Sequence, residues 1–302
     1  MICLIKSKNR IIVGAVVVTY NPDLGRFRRM ISALEEEEVK RIVVVDNGSK
    51  NINKIEKIVG KNRIIKLENN QGIAKGMNIG IRDIRSVYND LDWILTLDQD
   101  TILKNGSIME LFREYDRLPE KFRSKVGILA MSPKEKDNDK YTYGLEESSK
   151  FVKKLFAQTS GNLIKAQIFD KIRFRDDFFI DHVDHEFDIN LRKRGFLIIE
   201  YDRKTLDHSL GKEIKSGAKK INYYNEKRLY YYTRNSTYLI TRYESFPIIM
   251  YVLGILSMYS RFLRVKKIAG VKMGLFVFLV SFKDGILGNL GENKKISKMK
   301  LI

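Results

Sequence analysis

The chain has 302 residues, 44% hydrophobic and 11% aromatic, enough to bury a large core as one α/β domain or one domain with an appendage. Its single cysteine, Cys3, excludes an intramolecular disulfide and a cysteine-rich zinc site, and the opening MICLIKSKNR lacks the apolar core of a signal peptide, so a reducing, cytoplasmic setting is expected. The net charge of +19 is uneven, with 36 basic against 31 acidic residues in 1–202 and 20 against 6 in 203–302, so an anionic partner (lipid, nucleic acid or phosphorylated substrate) is expected at the last third.

In chain order, RIIVGAVVVTY (10–20) is a β-branched strand ending at Asn21-Pro22, and Asp23 is placed to cap a helix running to about Glu36. KRIVVVDNGS (40–49), NRIIKLENN (62–70) and WILTLDQD (93–100) are three further strands. Uninterrupted apolar strands separated by amphipathic helices predict a largely parallel sheet covered on both faces. Ligands bind such sheets beyond the carboxyl ends of the strands, where Thr19, Asp46 and Asp98 fall. No G-x-G-x-x-G follows the first strand and no G-x-x-x-x-G-K-[ST] occurs, which removes the main support for a dinucleotide or P-loop reading.

The fourth strand ends in Asp98-Gln99-Asp100. In an extended chain the two aspartates point the same way, and at an effective dielectric of about 20 like charges ~6 Å apart repel by roughly 3 kcal/mol. A divalent cation between them is the simplest remedy; solvation by water is the alternative. Before that strand, QGIAKGMNIGIRDI sets Gly72, Gly76 and Gly80 on one helical face, which implies close approach of another backbone or of a ligand. Residues 115–157 are polar, with K-E-K-D-N-D-K at 134–140, and are expected as a surface loop with short elements.

FFIDHVDHEFDINLRKRG (178–195) predicts a helix with Asp181 as N-cap, Gly195 just past its end, and Val183, Phe187 and Leu191 as its apolar stripe. Asp181, Asp184, Glu186 and Asp188 crowd its start, and His182 and His185 are expected to face solvent or a ligand. The last third alternates tyrosines with basic residues (223–243), then turns apolar in 246–259 and 273–282, with Arg261, Arg264, Lys266 and Lys267 between. Both apolar runs fall short of the ~20 residues that span a bilayer and suit helices lying in a membrane interface or packed on the domain.

Taken together, VVTYNP (17–22), VVDNGS (44–49), NNQGIAKGMNIGI (69–81), LDQD (97–100), TSGNLI (159–164), FFIDHVDHEF (178–187) and DHSLG (207–211) follow the order found in family 2 glycosyltransferases. The resemblance covers about residues 10–290 and is nearest the bacterial rhamnosyltransferase-like branch, with its D-Q-D, its F-I-D-x-V-D-x-E and its Y-Y-x-R-N, here Tyr231-Tyr232-Thr233-Arg234-Asn235. It implies a GT-A fold over residues 1–220, followed by a helical, basic, membrane-associating region over 221–302, and inverting transfer from a nucleotide diphosphate sugar. It implies further that Asp46 accepts from N3–H of uracil or thymine, with Thr19, Asn21, Gly72 and Asn78 around the nucleotide and Asp98 beside the ribose and cation. Asp100, with His208, resembles the ligands of Mg²⁺ or Mn²⁺, and Asp184 the general base that deprotonates the acceptor hydroxyl. Where relatives often carry a Gly-Gly-Phe-Asp-Glu-like stretch, this chain reads Ile172-Arg173-Phe174-Arg175-Asp176-Asp177, so the acceptor pocket departs from the usual pattern.

The expected function is therefore transfer of a sugar, L-rhamnose from dTDP-rhamnose, to a lipid-linked saccharide in bacterial surface polysaccharide synthesis, by an enzyme attached peripherally to the inner face of the plasma membrane. Another UDP- or dTDP-sugar donor (glucosyl, galactosyl or galactofuranosyl) is the alternative within the same chemistry. A basic nucleic-acid-binding protein with tyrosines stacking on bases is the alternative from another class, opposed by the apolar stretches beside the basic residues.

Overall fold

β-Branched runs take the strand positions because their side chains pack on a pleated surface buried from both faces. The computed structural model describes residues 11–37, 39, 41–60, 63–133, 150–208, 213–216, 219–222, 226–243, 248–265 and 269–297. The chain divides into two units, one of residues 1–174 and 184–209, the other of 175–183 and 210–302.

In the first unit β1 (Val13–Thr19), β2 (Arg41–Asp46), β3 (Ile64–Lys66) and β4 (Trp93–Asp98) run parallel in the order β3-β2-β1-β4. The helices α1 (Leu24–Glu36), α2 (Ile52–Val59) and α3 (Ile73–Val87) connect them. Asp23 caps α1 as expected, its Oδ1 accepting from Arg26 N at 2.8 Å, and Phe27, Met30, Ile31 and Leu34 turn the helix's apolar stripe inward. The glycines of α3 pack against the sheet: a Cβ on Gly80 would lie 2.5 Å from Val16 Cγ1 and 2.9 Å from Val45 Cγ2, and one on Gly76 2.9 Å from Val18 Cγ1. Gly72, expected on the same face, instead precedes the helix with φ of +89°, a conformation L side chains rarely adopt.

Beyond β4 come β5 (Thr101–Leu103), α4 (Ser107–Asp116), the short α5 (Glu120–Arg123), β6 (Val126–Ser132), β7 (Phe151–Lys154), β8 (Asn162–Lys165), α6 (Val183–Lys193), β9 (Leu197–Lys204) and β10 (Leu206–His208). The main sheet continues β4-β8-β6-β9-β7, with β8 antiparallel to β4 and β6, β6 parallel to β9, and β7 antiparallel to β9. The architecture is α/β, a mostly parallel mixed sheet flanked by helices.

The stretch 115–157, expected as a surface loop with short elements, does hold the short α5, β6 and β7, but β6 is interior, buried at all seven of its positions. Its run VGILAMS is short and lies between charged stretches, so composition averaged over the segment hides it. The charged stretch 134–140 lies outside the described residues.

The second unit contains the hairpin β11 (Glu213–Ser216) and β12 (Lys219–Asn222), then α7 (Glu226–Arg242), α8 (Ile248–Val265), α9 (Ala269–Leu287) and the short α10 (Lys294–Ser297). Leu229, Tyr230, Tyr231, Met258 and Val277 form a core shared by α7, α8 and α9. Three of the α7 residues that the nucleic-acid alternative would need as a base-stacking surface, Tyr230, Tyr231 and Arg234, are instead buried.

Candidate active site

Parallel pairing brings the polar ends of three strands side by side: Thr19 lies opposite Asp46, and Val18 opposite Asp98. Asp46 is 1% exposed. Its Oδ2 accepts from Ser49 N at 2.9 Å, while Oδ1 is buried with no hydrogen-bond partner among the described residues. A buried carboxylate oxygen left unpaired costs on the order of 1–3 kcal/mol or more, so it marks a place where a donor is missing. Asn21, at φ of 47°, ties the turn after β1 to the turn after β2, its N donating to Ser49 Oγ at 2.7 Å and its Oδ1 accepting from Lys50 N at 2.8 Å.

Asn47, just past the end of β2, is buried and builds the adjoining wall. Its Nδ2 donates to Asn70 Oδ1 and to the Gly72 carbonyl, both at 3.1 Å, and its Oδ1 accepts from Gln71 N at 2.8 Å. These bonds hold the turn that leads into α3. Asn78, one turn and a half into α3, clasps the Phe174 backbone, donating to its carbonyl at 2.7 Å and accepting from its N at 3.1 Å.

The aspartate pair departs from the extended geometry expected of it. β4 ends at Asp98, Gln99 and Asp100 form a turn, and β5 begins at Thr101, so the same-face argument does not hold across the pair. The turn is held from several sides. Gln99 Oε1 accepts from Thr19 Oγ1 at 2.9 Å and from Tyr20 N at 2.7 Å. Ser160 Oγ accepts from Asp98 N at 2.9 Å and lies 2.6 Å from Thr101 Oγ1, so the T-S-G-N stretch buttresses the turn. A basic residue also arrives, absent from the local sequence: Arg26 of α1 donates from Nε to the Asp100 carbonyl at 2.5 Å and from Nη2 to the Asp207 carbonyl at 3.1 Å.

β10 pairs antiparallel with β5 and sets His208 opposite Thr101, next to Asp100 in register. Among the described residues no group of three or more His, Cys, Asp or Glu side chains is gathered to hold a metal.

The four carboxylates at the start of α6 are sorted by partner and burial. Asp184 Oδ1 accepts from His185 N at 2.9 Å and meets His185 Nδ1 at 2.8 Å, and the His185 ring packs on Phe156 at 4.6 Å between centroids. Glu186 is buried and accepts from Asn190 Nδ2 at 2.7 Å. Asp188 is buried and accepts from Ala157 N at 2.7 Å. Burial pushes its carboxyl well above the usual range, with the Ala157 bond opposing and the nearby Asp184 charge reinforcing the rise. Asp181 lies outside the expected cap position, because α6 starts at Val183, and its carboxylate pairs with Arg228 at 2.6 Å.

His182, expected to face solvent or ligand, is instead 6% exposed, 2.7 Å from Ser236 Oγ and packed on Tyr232 at 4.3 Å. Nothing in a bare histidine signals that it will be enclosed by tyrosines fifty or more residues further on.

Within the second unit, Y-Y-x-R-N is a clamp on the segment that leads into α6. Arg234, wholly buried, donates to the carbonyls of Gly291 at 2.5 Å, Phe178 at 3.1 Å and Asp177 at 3.3 Å, and lies over the rings of Tyr231 and Tyr230 at 5.0 and 5.5 Å. Asn235 Nδ2 donates to the carbonyls of Phe178, Ile180 and Asp181 at 2.8–3.0 Å. The clamped segment holds three non-glycine residues at positive φ, Phe179 (64°), Asp181 (63°) and His182 (59°), each a costly conformation that only surrounding bonds maintain.

An open, mixed sheet whose parallel half ends in Thr19, Asp46 and the Asp98–Asp100 turn is a GT-A-like fold, the class built to take a nucleotide sugar at the strands' carboxyl edge. The family described as glycosyl transferase family 2 matches residues 15–173, more than half of the chain, and the chain belongs to that family. It is 30% identical over 217 residues to the dTDP-rhamnosyl transferase RfbF of Shigella flexneri, covering 66% of this chain and 69% of that one. Its fold is similar to S. aureus TarS 1–349, with TM-score 0.52 and 14% identity over 91% of this chain and 80% of that one. The same protein in complex with UDP-GlcNAc gives TM-score 0.53 and 13% identity over 91% and 81%. The chain is thus a glycosyltransferase.

Proposed function

We propose that this glycosyltransferase moves L-rhamnose from dTDP-rhamnose onto a lipid-linked saccharide, with inversion, at the cytoplasmic face of the plasma membrane during surface polysaccharide assembly. The observation that carries the nucleotide reading is Asp46 Oδ1, a buried acceptor lacking a donor at the carboxyl edge of β2. The N3–H of thymine or uracil supplies such a donor, whereas N3 of cytosine in the same pose is itself an acceptor. The relative named as a dTDP-rhamnosyl transferase supports rhamnose as the sugar.

The donor set fits a divalent cation. Asp98 and Asp100 offer hard carboxylate oxygens, and Mg²⁺ is commonly held by one or two carboxylates with substrate phosphates completing its shell, so a full protein cage is not required. His208, beside Thr101 in register, is the further ligand in this reading. When bound, the cation supplies charge neutralisation to the departing diphosphate.

The chain's own groups do the rest. Gln99, Ser160 and Arg26 fix the backbone of the aspartate turn, so the carboxylates meet the diphosphate already oriented. Asp184 takes the proton of the acceptor hydroxyl as its oxygen attacks the anomeric carbon and the sugar–phosphate bond breaks on the opposite face. His185, bonded at Oδ1, sets the rotation of that carboxylate.

The test is stabilisation by a panel of nucleotide sugars with and without EDTA. dTDP-rhamnose at 100 times Kd should add about 2.7 kcal/mol, lost on chelation. Equal stabilisation by CDP-sugars, or full effect in EDTA, contradicts the reading.

A further inference from the structure

In α9 the residue sizes run opposite to those of a helix that packs in water. The stripe turned inward is Gly274, Val277, Ser281 and Gly285, while Leu275, Phe276, Leu279 and Phe282 are 44–58% exposed. A Cβ on Gly285 would lie 2.6 Å from both the Arg234 carbonyl oxygen and Thr237 Cβ, so α7 and α9 approach through glycine, serine and threonine. α8 packs inward through the large Tyr251, Ile255 and Met258, but it too leaves apolar side chains outside, with Ile249, Leu253 and Leu256 56–64% exposed. Helices that pack in water bury their large apolar side chains. Helices solvated by lipid do the reverse, meeting one another through small residues and turning leucine and phenylalanine outward.

Resting on the membrane location in the proposed function and deepening it, we propose that the outward face of α8 and α9 is an in-plane anchor that sinks into one leaflet of an anionic bilayer. No helix among the described residues is long and apolar enough to cross a membrane, so the pair lies along the interface. Charge selects the occupant. Residues 248–297 carry eight basic and two acidic residues, and α8 has no acidic residue at all. One of the two acids, Asp284, accepts from Tyr230 OH at 2.6 Å. Lys272 and Lys283 are exposed on α9, Lys283 between Phe282 and Ile286 on the apolar face itself, where its long stem reaches from the hydrocarbon edge to a headgroup phosphate. A second copy of the chain on this face would bring like charge against like, whereas an anionic leaflet complements it.

The test is flotation of the full chain with phosphatidylcholine vesicles and with mixed phosphatidylcholine–phosphatidylglycerol vesicles. The chain should float with the anionic vesicles and be released by salt. Phe276→Glu combined with Leu279→Glu should weaken binding at least about tenfold, whereas Val87→Glu, at a position 64% exposed in the first unit, should leave it unchanged. Lys272→Glu with Lys283→Glu, which spares the apolar side chains, should lower binding to the anionic vesicles alone. Unaltered flotation of Phe276→Glu/Leu279→Glu overturns the proposal. So does a wild-type dimer that this double substitution splits, with no vesicle binding by either. Binding of dTDP without vesicles should be the same in all variants; a chain that floats as described yet binds no nucleotide would contradict the transferase reading and leave the anchor standing.

Discussion

The parallel half of the sheet and the helix α9 place the same residue types on opposite sides of the packed surface. In β1, β2 and β4 the apolar side chains are inside, where Val16, Val44 and Leu95 are wholly buried, and the polar groups gather where the strands stop. In α9 leucine and phenylalanine are outside, and glycine and serine hold the helix to its neighbour. Both regions are rich in apolar residues; what differs between the strands and α9 is the size of the residue at the packed face. In the proposed function the two regions divide the work, the strand edge binding the donor and the helical pair holding the enzyme at the membrane.

The largest expected effect breaks one side of this comparison and leaves the other intact. Asp184→Asn keeps an acceptor for His185 N but cannot take a proton. Single-turnover transfer should fall by roughly 10²- to 10⁴-fold with donor affinity changed by only a few-fold. Vesicle flotation of this variant should match wild type. Transfer near the wild-type rate would move the base to another carboxylate, and product that retains the donor's anomeric configuration would rule out a single displacement.

A smaller effect sharpens the contrast in packing. Gly80→Leu forces side-chain atoms into Val16 and Val45 and should cost about 1–3 kcal/mol of stability in urea unfolding. Leu279→Ser removes an apolar side chain of similar size from α9, yet in vesicle-free buffer it should change stability by no more than about 0.5 kcal/mol, because that side chain is 58% exposed. Equal costs at the two positions would mean that α9 packs its leucines as a water-soluble helix does.

How much of the fold and the site is legible in the sequence follows the range of the interactions involved. β1, β2, β4, the Asp23 cap and the apolar stripe of α6 depend on neighbours within a few residues, and periodicity exposes them. β6 escapes because seven buried residues between charged stretches leave no mark on an averaged composition. The antiparallel insertion of β8 between β4 and β6 joins segments far apart in sequence, and no local pattern encodes it. At the site, the aspartates can be read from their residue types. Their geometry cannot, because Gln99 reaches back eighty residues to Thr19, and Ser160 sixty-two to Asp98. His182 misleads for the same reason, since its enclosure comes from α7 and α8. The Y-Y-x-R-N stretch is visible as a pattern, but its bonds to residues 177–181 and to Gly291 exist only in the folded chain.

The central claim, that the carboxyl edge of β2 reads a pyrimidine base through its N3–H, is tested most directly by titrating dTDP, UDP, CDP and GDP into wild type and Asp46→Ala. One hydrogen bond to a charged acceptor is at stake, so the substitution should weaken dTDP and UDP binding by roughly 1.5–3 kcal/mol, about ten- to a hundredfold, and erase their advantage over CDP. Discrimination that persists unchanged in Asp46→Ala would place the base elsewhere.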